Sequence, residues 1–557
     1  MRTATRSANT VITLTLTALL GGCLSHPVEE VRYDKTVVAP RMLPIDLNRD
    51  VDILFVIDNS GSMAEEQARL ARNFPAFINS LDEMGADYRI GITTTDVAHP
   101  GCTKNPTPED GELVLRSCIE AVADGAFQFN DTDAAKACTD QCKLVGDQLR
   151  VTASHDGEVH PWLESIAGQQ NLPAGVTMAD AFACFGPQGI NGCGFESPLE
   201  AMRLAISKAR ADNGFMRDEA LLSVVLVTDE ADCSSNPAHA DIFTTNPTFQ
   251  NDTAPTLTSA TCWRAGVACT GAGPELKECY SEDYTADGTP GALDRADAVL
   301  HPLDRYVEFL DSVRVSGGSL EDGGPIARDV LVSLIAGVPI GYDLGKAEIE
   351  YRAAEPGSFQ DVNFGVAPGC TNTEDGTNST AVPPVREREV TEAFAGPDGA
   401  RNVFSICQDD YSPALEQIAA AVRRALPPAC AGTCIEDSDL ETDVLDPVCS
   451  VSAGLADGTS EDVPRCAVDG EAWAVPAGAS VCFYMLVDPD GRTPFKGDDM
   501  TLVDGEHGES VPACSTAAEN LEFKILRAGP RRPGVTYSAE CVAADDQELC
   551  AADRARA

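Results

Sequence analysis

Positive charge is scarce in this chain of 557 residues: 40 Lys and Arg stand against 88 Asp and Glu, a net charge of −48. Nucleic acid and anionic membrane surfaces both demand a basic footprint, so neither is an expected partner. The acidity admits two readings, a solubility adaptation or a surface that gathers divalent cations. Long apolar runs are equally scarce. Val11 to Leu20 is one, ten residues long and too short to span a bilayer. No other segment is long and apolar enough to do so. Catalytic signatures are missing too. There is no His-Glu-x-x-His and no Gly-x-Ser-x-Gly elbow, and His155 and His160 are poorly spaced for one helix face. Gly341-Tyr342-Asp343-Leu344-Gly345-Lys346-Ala347 is one residue short of a phosphate loop and lacks its Ser or Thr. The sequence therefore gives no reason to expect an enzyme.

What is present is a globular chain. Hydrophobic residues make up 43%, and the length allows more than one core. Residues 51–58 read as a buried strand, followed by a helix from Met63 to about Met84 in which Pro75 should cause a kink or a split. Tyr88 to Thr95 is a second strand, which makes a βαβ-like start to an α/β sheet. Further strands are expected at Leu221–Thr228, Val330–Val338 and Val403–Ile406. Helices are expected at 132–148, 177–185, Pro198 to about Ala211, His301–Val313 and Ser412–Leu426. Residues 230–298 read as loop-like and 339–400 as mostly irregular. Beyond Cys430 short alternating stretches, Val481–Val487, Leu521–Leu526 and Val535–Cys541, are separated by Gly, Pro and Asp turns.

The most informative run is Val51-Asp52-Ile53-Leu54-Phe55-Val56-Ile57-Asp58-Asn59-Ser60-Gly61-Ser62-Met63. One carboxylate and two hydroxyls at alternate positions of a single loop make half a shell of hard oxygen ligands, the type a Mg²⁺-like ion needs. The loop follows an apolar strand, and ligand sites in parallel sheets lie at the carboxyl ends of strands. Val224-Val225-Leu226-Val227-Thr228-Asp229 brings a second acid to the end of another apolar strand, with Glu230 and Asp232 beside it.

Asp58-x-Ser60-x-Ser62, joined to Asp229, resembles the metal-ion-dependent adhesion site of a von Willebrand factor type A domain. The resemblance covers roughly residues 48–426. It implies a doubly wound, mostly parallel sheet flanked by helices, a divalent cation, and a protein partner that offers the ion an acidic side chain. Mg²⁺ is the expected ion, with Ca²⁺ and Mn²⁺ as alternatives. Asp58, Ser60, Ser62 and Asp229 are the ligands carried over, Asp229 through a water. The sequence departs from the family at the second loop, where Gly-Gly-Thr is usual and Gly194-Phe195-Glu196-Ser197-Pro198 stands instead. Glu196 falls at the Thr position and is the ligand chosen there. Ser197-Pro198-Leu199-Glu200 reads as a capping box that would occupy the Ser197 hydroxyl. The competing reading of Glu196 is an acid favoured by the helix dipole.

Arg2 and Arg6 precede the apolar stretch, and Leu20-Gly21-Gly22-Cys23 resembles a bacterial lipobox. The resemblance implies a signal peptide over 1–22 and lipid on Cys23, hence a cell-envelope lipoprotein, with the outer membrane or cell surface left open because no Asp follows the Cys. Residues 23–48 then form the lipidated N-terminus and tether, 49–426 the type A-like domain with insertions at about 96–195, 230–298 and 339–400, and 430–557 a Cys-rich β module. Setting Cys23 aside leaves 20 of 21 cysteines, an even number that reads as a disulfide framework in an exported chain. Near neighbours (Cys138 with Cys142, Cys184 with Cys193, Cys269 with Cys279, Cys541 with Cys550) are the guessed pairs. Structural zinc is disfavoured, since no His stands at finger spacing. The expected function is metal-dependent protein binding, by adhesion or scaffolding. The alternatives are a structural lipoprotein whose ion only stabilises the fold and an unrecognised metal-assisted hydrolase.

Overall fold

Alternation along residues 51–57 divides one strand between two cores. Val51, Ile53, Phe55 and Ile57 enter one apolar cluster, and Leu54 and Val56 enter another on the opposite face. A strand buried on both faces belongs inside a sheet covered by helices on each side, and the computed structural model has that architecture. It describes residues 41–43 and 50–544, apart from 84–85, 103–107, 167–168, 211–213, 218–219, 251–256, 272, 320–324, 328, 374–378, 396–399, 427–428, 440–441, 443, 456–458, 471, 490, 505–509, 513, 515–518 and 528–535.

The central sheet has seven strands: β1 Asp50–Ile57, β2 Asp87–Thr94, β3 Leu163–Ile166, β4 Gln169–Gln170, β5 Leu221–Val227, β6 Val330–Ala336 and β7 Val403–Ser405. Their spatial order is β7-β6-β5-β1-β2-β3-β4. The five strands from β7 to β2 are parallel, and β3 and β4 add an antiparallel edge. The insertion at 96–195 thus supplies part of the sheet as well as loops. From β1 the chain winds outward to β2, and it later returns to the other side of β1 as β5. This reversal sets a topological switch point between the carboxyl ends of β1 and β5.

Helices α1 Ala64–Glu83, α2 Met178–Phe185 and α6 Ser412–Ala425 cover one face. Helices α3 Pro198–Lys208, α4 Asp304–Arg314 and α5 Val385–Ala393 cover the other. Phe55 of β1 meets Phe74 and Phe77 of α1 and Phe182 of α2, with ring centroids 5.8, 5.9 and 5.2 Å away. That packing explains why Pro75 does not split α1. Its ring lies on the exposed side, and burial of Phe74, Phe77, Ile78 and Leu81 outweighs the roughly 3 kcal/mol a proline costs inside a helix.

Several local expectations change. Only Ala135–Thr139 is α-helical within 132–148, because the disulfides Cys118–Cys138 and Cys142–Cys184 bend the segment back onto the insertion's own core. Residues 230–298 hold a helix, Ala260–Gly266, and a hairpin of Val267–Gly271 with Leu276–Ser281. The stretch 339–400 contains α5, which packs on β6. Cys269–Cys279 is bonded as guessed, across that hairpin. The guessed Cys138–Cys142 and Cys184–Cys193 pairs are not formed, since these cysteines bond to Cys118, Cys184 and Cys102. Cys541 bonds to Cys449 rather than to Cys550. Cys430 and Cys434, spaced closely enough to suggest a zinc pair, are both disulfide-bonded. Tertiary fold, not sequence proximity, decides which thiols meet.

Past residue 428 a separate apolar cluster forms around Val451, Phe483, Met485, Phe523 and Ala539. Strands Val481–Leu486 and Glu522–Arg527 pair antiparallel there. Residues Arg41–Leu43, expected to be tether, pair as a strand with Thr536–Cys541. Cys23, the rest of the tether, Pro427, Pro428 and Cys550 lie outside the described residues. Among the described residues no helix is long and apolar enough to cross a membrane.

Candidate metal centre

The loop after β1 is held at the switch point by backbone bonds. The Asp58 amide donates to the Val227 carbonyl of β5 at 2.9 Å, so the ends of β1 and β5 stay side by side. Gln67 of α1 donates to the Asp58 carbonyl at 2.7 Å and the Gly189 carbonyl at 2.8 Å, which ties the loop to the insertion. Asp58 is fully buried. Its carboxylate accepts from the Ser60 amide at 2.8 Å and from the Thr228 hydroxyl at 2.6 Å. The Ser60 and Ser62 hydroxyls lie 3.2 Å apart, and Ser62 donates to Asp229 at 3.1 Å.

Four of the five residues expected from the sequence are therefore joined in one connected set: Asp58, Ser60, Ser62 and Asp229. Ser62 is exposed while Asp58 and Ser60 are buried, so the set opens to solvent at one end. Glu196, the fifth, sits in a neighbouring loop. One oxygen accepts a short hydrogen bond from Thr95. The other, Oε1, is buried without a hydrogen-bond partner.

The expected capping box at α3 is absent. The Ser197 hydroxyl instead donates to the Cys233 carbonyl at 3.1 Å. The free amides of α3 are satisfied by the loop after β5: Leu199 N donates to Asp232 at 3.3 Å and Glu200 N to Ser234 at 3.0 Å. Glu200 is drawn away by Arg203 and Arg305 at 2.6 and 3.0 Å. Local pattern suggested a self-capped helix, but the loop after β5 arrives closer and bears a carboxylate.

The electrostatics are one-sided. Burial holds Asp58 above the usual carboxylate range, with Asp96 adding to it. Glu196 is raised well above its ordinary value by burial, then by Asp58, Glu230 and Asp96. Asp229 is raised in the same way by burial, Asp58, Glu230 and Glu66. Glu230 is pushed up to about 8 by burial and Asp58. The charges acting on these four acids are other acids. Desolvated like charges at this density require protons or a cation. The buried Glu196 Oε1 and Glu230 Oε2 have no hydrogen-bond partners, and Asp58 raises both acids, so this acid-rich surround fits a divalent ion. The carboxylates are not drawn into a tight three-acid cluster like Asp488, Asp498 and Asp499, whose oxygens lie within 4.8 Å of one another; here hydroxyls bridge the acids.

Sequence reading missed Thr228 and Asp96. Thr228 directly precedes the predicted Asp229. Asp96 follows β2, binds the Cys193 amide at 2.8 Å, and could have been found as the acid ending the second parallel strand.

No family model matches the chain, and no curated protein matches it. Among solved structures it is similar to a von Willebrand factor type A protein from Catenulispora acidiphila, at 10% identity and a TM-score of 0.24, over 89% of this chain and 58% of that one. It is also similar to the pilus adhesin SpaC from Lactobacillus rhamnosus GG in its open conformation, at 9% identity and a TM-score of 0.25, over 89% of this chain and 39% of that one. The chain thus spans less than two thirds of the length of either protein.

Proposed function

We propose that this chain is a cell-envelope lipoprotein whose α/β domain binds a protein partner through a divalent cation, as a type A adhesion domain does. The observation that carries this reading is the joined set Asp58, Ser60, Ser62 and Asp229, at the switch point of a parallel sheet and open to solvent at Ser62. Asp58, Ser60 and Ser62 would hold the ion, with Asp229 and Glu196 nearby. Mg²⁺ suits hydroxyl and carboxylate oxygens. When bound, the ion neutralises the buried acids and offers a position to a carboxylate from the partner. The protein's own part is to hold the hydroxyls in register and to keep the acids desolvated, so that they favour a cation. Cys23 would carry the lipid that ties the chain to the membrane.

Calorimetric titration of the purified protein with Mg²⁺, then with chelator, tests the site. Saturable, chelator-reversible binding that is lost in Ser62→Ala and Asp58→Ala supports the reading, and no binding in the wild type ends it. A second reading rests on Glu196. An acid of the protein's own beside the ion would compete with a partner's acid, and the ion would then only brace the fold. Pull-down of the partner with and without chelator separates the two.

A further inference from the structure

The insertion that follows β2 sends an exposed hairpin over the metal loop. Its two short strands are Gln128–Phe129 and Thr132–Asp133. All six residues from 128 to 133 are exposed. Phe129 is 42% exposed, although a benzyl side chain gains by burial. Its ring lies against Gly61, between the two metal-loop serines. A Cβ at Gly61 would stand 2.5 Å from Phe129 Cδ1 and 2.7 Å from Cε1. Glycine is what lets the ring lie on the loop.

The hairpin is anchored at its base. Phe127, two residues earlier, is buried in the insertion's core with Cys118 and Cys138, which are bonded to each other. The Ala134 amide donates to the Phe127 carbonyl at 2.9 Å and closes the base. The Ile190 amide donates to the Ala126 carbonyl at 2.7 Å, so the hairpin's stem is joined to the segment that Gln67 ties to Asp58. Phe129 is therefore a fixed, half-exposed ring set beside the exposed Ser62. A rigid aromatic in such a place has the character of an interface anchor.

We infer that Phe129 and the hairpin 128–133 form the docking platform for an apolar side chain adjacent to the acid that the metal loop receives, on a partner whose surrounding surface is basic. This rests on the metal-dependent reading above. The charge of the partner follows from complementarity. Asp131 and Asp133 on the hairpin and Glu65 after the metal loop are all exposed acids, and the whole chain carries −48. The hairpin itself, Gln128-Phe129-Asn130-Asp131-Thr132-Asp133, has no basic residue.

The test uses a phage-displayed random peptide library as the probe, panned on the immobilised full chain in Mg²⁺ and eluted with chelator. The expected peptides carry Asp or Glu next to Leu, Phe, Tyr or Trp, with Lys or Arg nearby. A synthetic copy of the best peptide should bind Phe129→Ser at least tenfold more weakly than wild type, while Mg²⁺ titrates both proteins identically. Phe129→Trp should keep the affinity. Ser62→Ala should lose both Mg²⁺ and peptide, which reports on the metal reading separately. The inference is overturned if Phe129→Ser binds the peptide within twofold of wild type, if the eluted peptides have an acid without an apolar neighbour, or if no peptide elutes while Mg²⁺ still binds. A Mg²⁺-dependent dimer that disappears in Phe129→Ser would overturn it as well, by giving the platform to a second copy of the chain.

Discussion

Thr228 donates its hydroxyl hydrogen to Asp58 at 2.6 Å, from the end of β5 to the end of β1. Both residues are fully buried. Thr228→Val keeps the shape and removes the donor, which leaves a buried carboxylate oxygen with one bond fewer. The expected cost is about 1–3 kcal/mol in denaturant unfolding, together with weaker Mg²⁺ binding. Thr228→Ser should restore most of both. Equal stability of the Val variant and wild type would show that this bond does not hold the two strand ends in place.

Glu196→Thr restores the residue type usual in the resembled site. If Glu196 helps to hold the ion, the change should weaken both Mg²⁺ and Ca²⁺ by roughly tenfold, about 1.4 kcal/mol, and strengthen binding of a partner acid, because one competing carboxylate is gone. Titration of both ions decides the point. Unchanged affinity for both places Glu196 outside the coordination sphere.

Arg386 and Asp232 form an ion pair at 3.1 Å with side-chain exposures of 1% and 0%. Arg386 also donates to the His301 carbonyl at 2.6 Å. Arg386→Met would strand a buried carboxylate that caps α3. The expected loss is about 3–5 kcal/mol, read as a lower denaturation midpoint. The double variant Arg386→Met with Asp232→Asn should recover part of it.

Glu387 of α5 is fully buried, and its pKa is pushed up to about 8 by burial, then by Asp232. The fold therefore favours its protonated form. Between the unfolded value near 4.5 and about 8 the native state binds more protons, so stability falls as pH rises through that window and is fully present below it. Glu387→Gln should remove this contribution. Melting temperatures of wild type and variant, compared at pH 5 and pH 8, should diverge in favour of the variant at the higher pH. A constant difference would mean that Glu387 does not titrate in this range.

The strands at the centre were legible because β-branched and aromatic runs such as 51–57 and 221–227 have few other ways to be buried. Asp58, Ser60, Ser62 and Asp229 were legible because they follow such strands directly. The surroundings were not. The cap on α3 comes from Asp232 and Ser234, which no local pattern links to Leu199 and Glu200. The disulfide partners of Cys138, Cys142, Cys184 and Cys193 depend on how the insertion folds back, and spacing in the chain carries no such information. Helix α5 was hidden because its sequence, Val385-Arg386-Glu387-Arg388-Glu389, reads as a solvated charged face, whereas Arg386 is buried through Asp232 of another element and Glu387 is buried beside it. The platform at Phe129 was invisible for the same reason, since a lone Phe in a polar stretch signals nothing until Gly61 is seen beneath it.

The trans-capped start of α3 bears on kinetics. Asp232 and Ser234 hold its leading amides, so the loop after β5 cannot shift without uncapping a helix packed on the sheet. A partner would then meet a pre-shaped face and dock as one rigid body. Its on-rate should track ionic strength and diffusion, with no slow isomerisation phase after encounter.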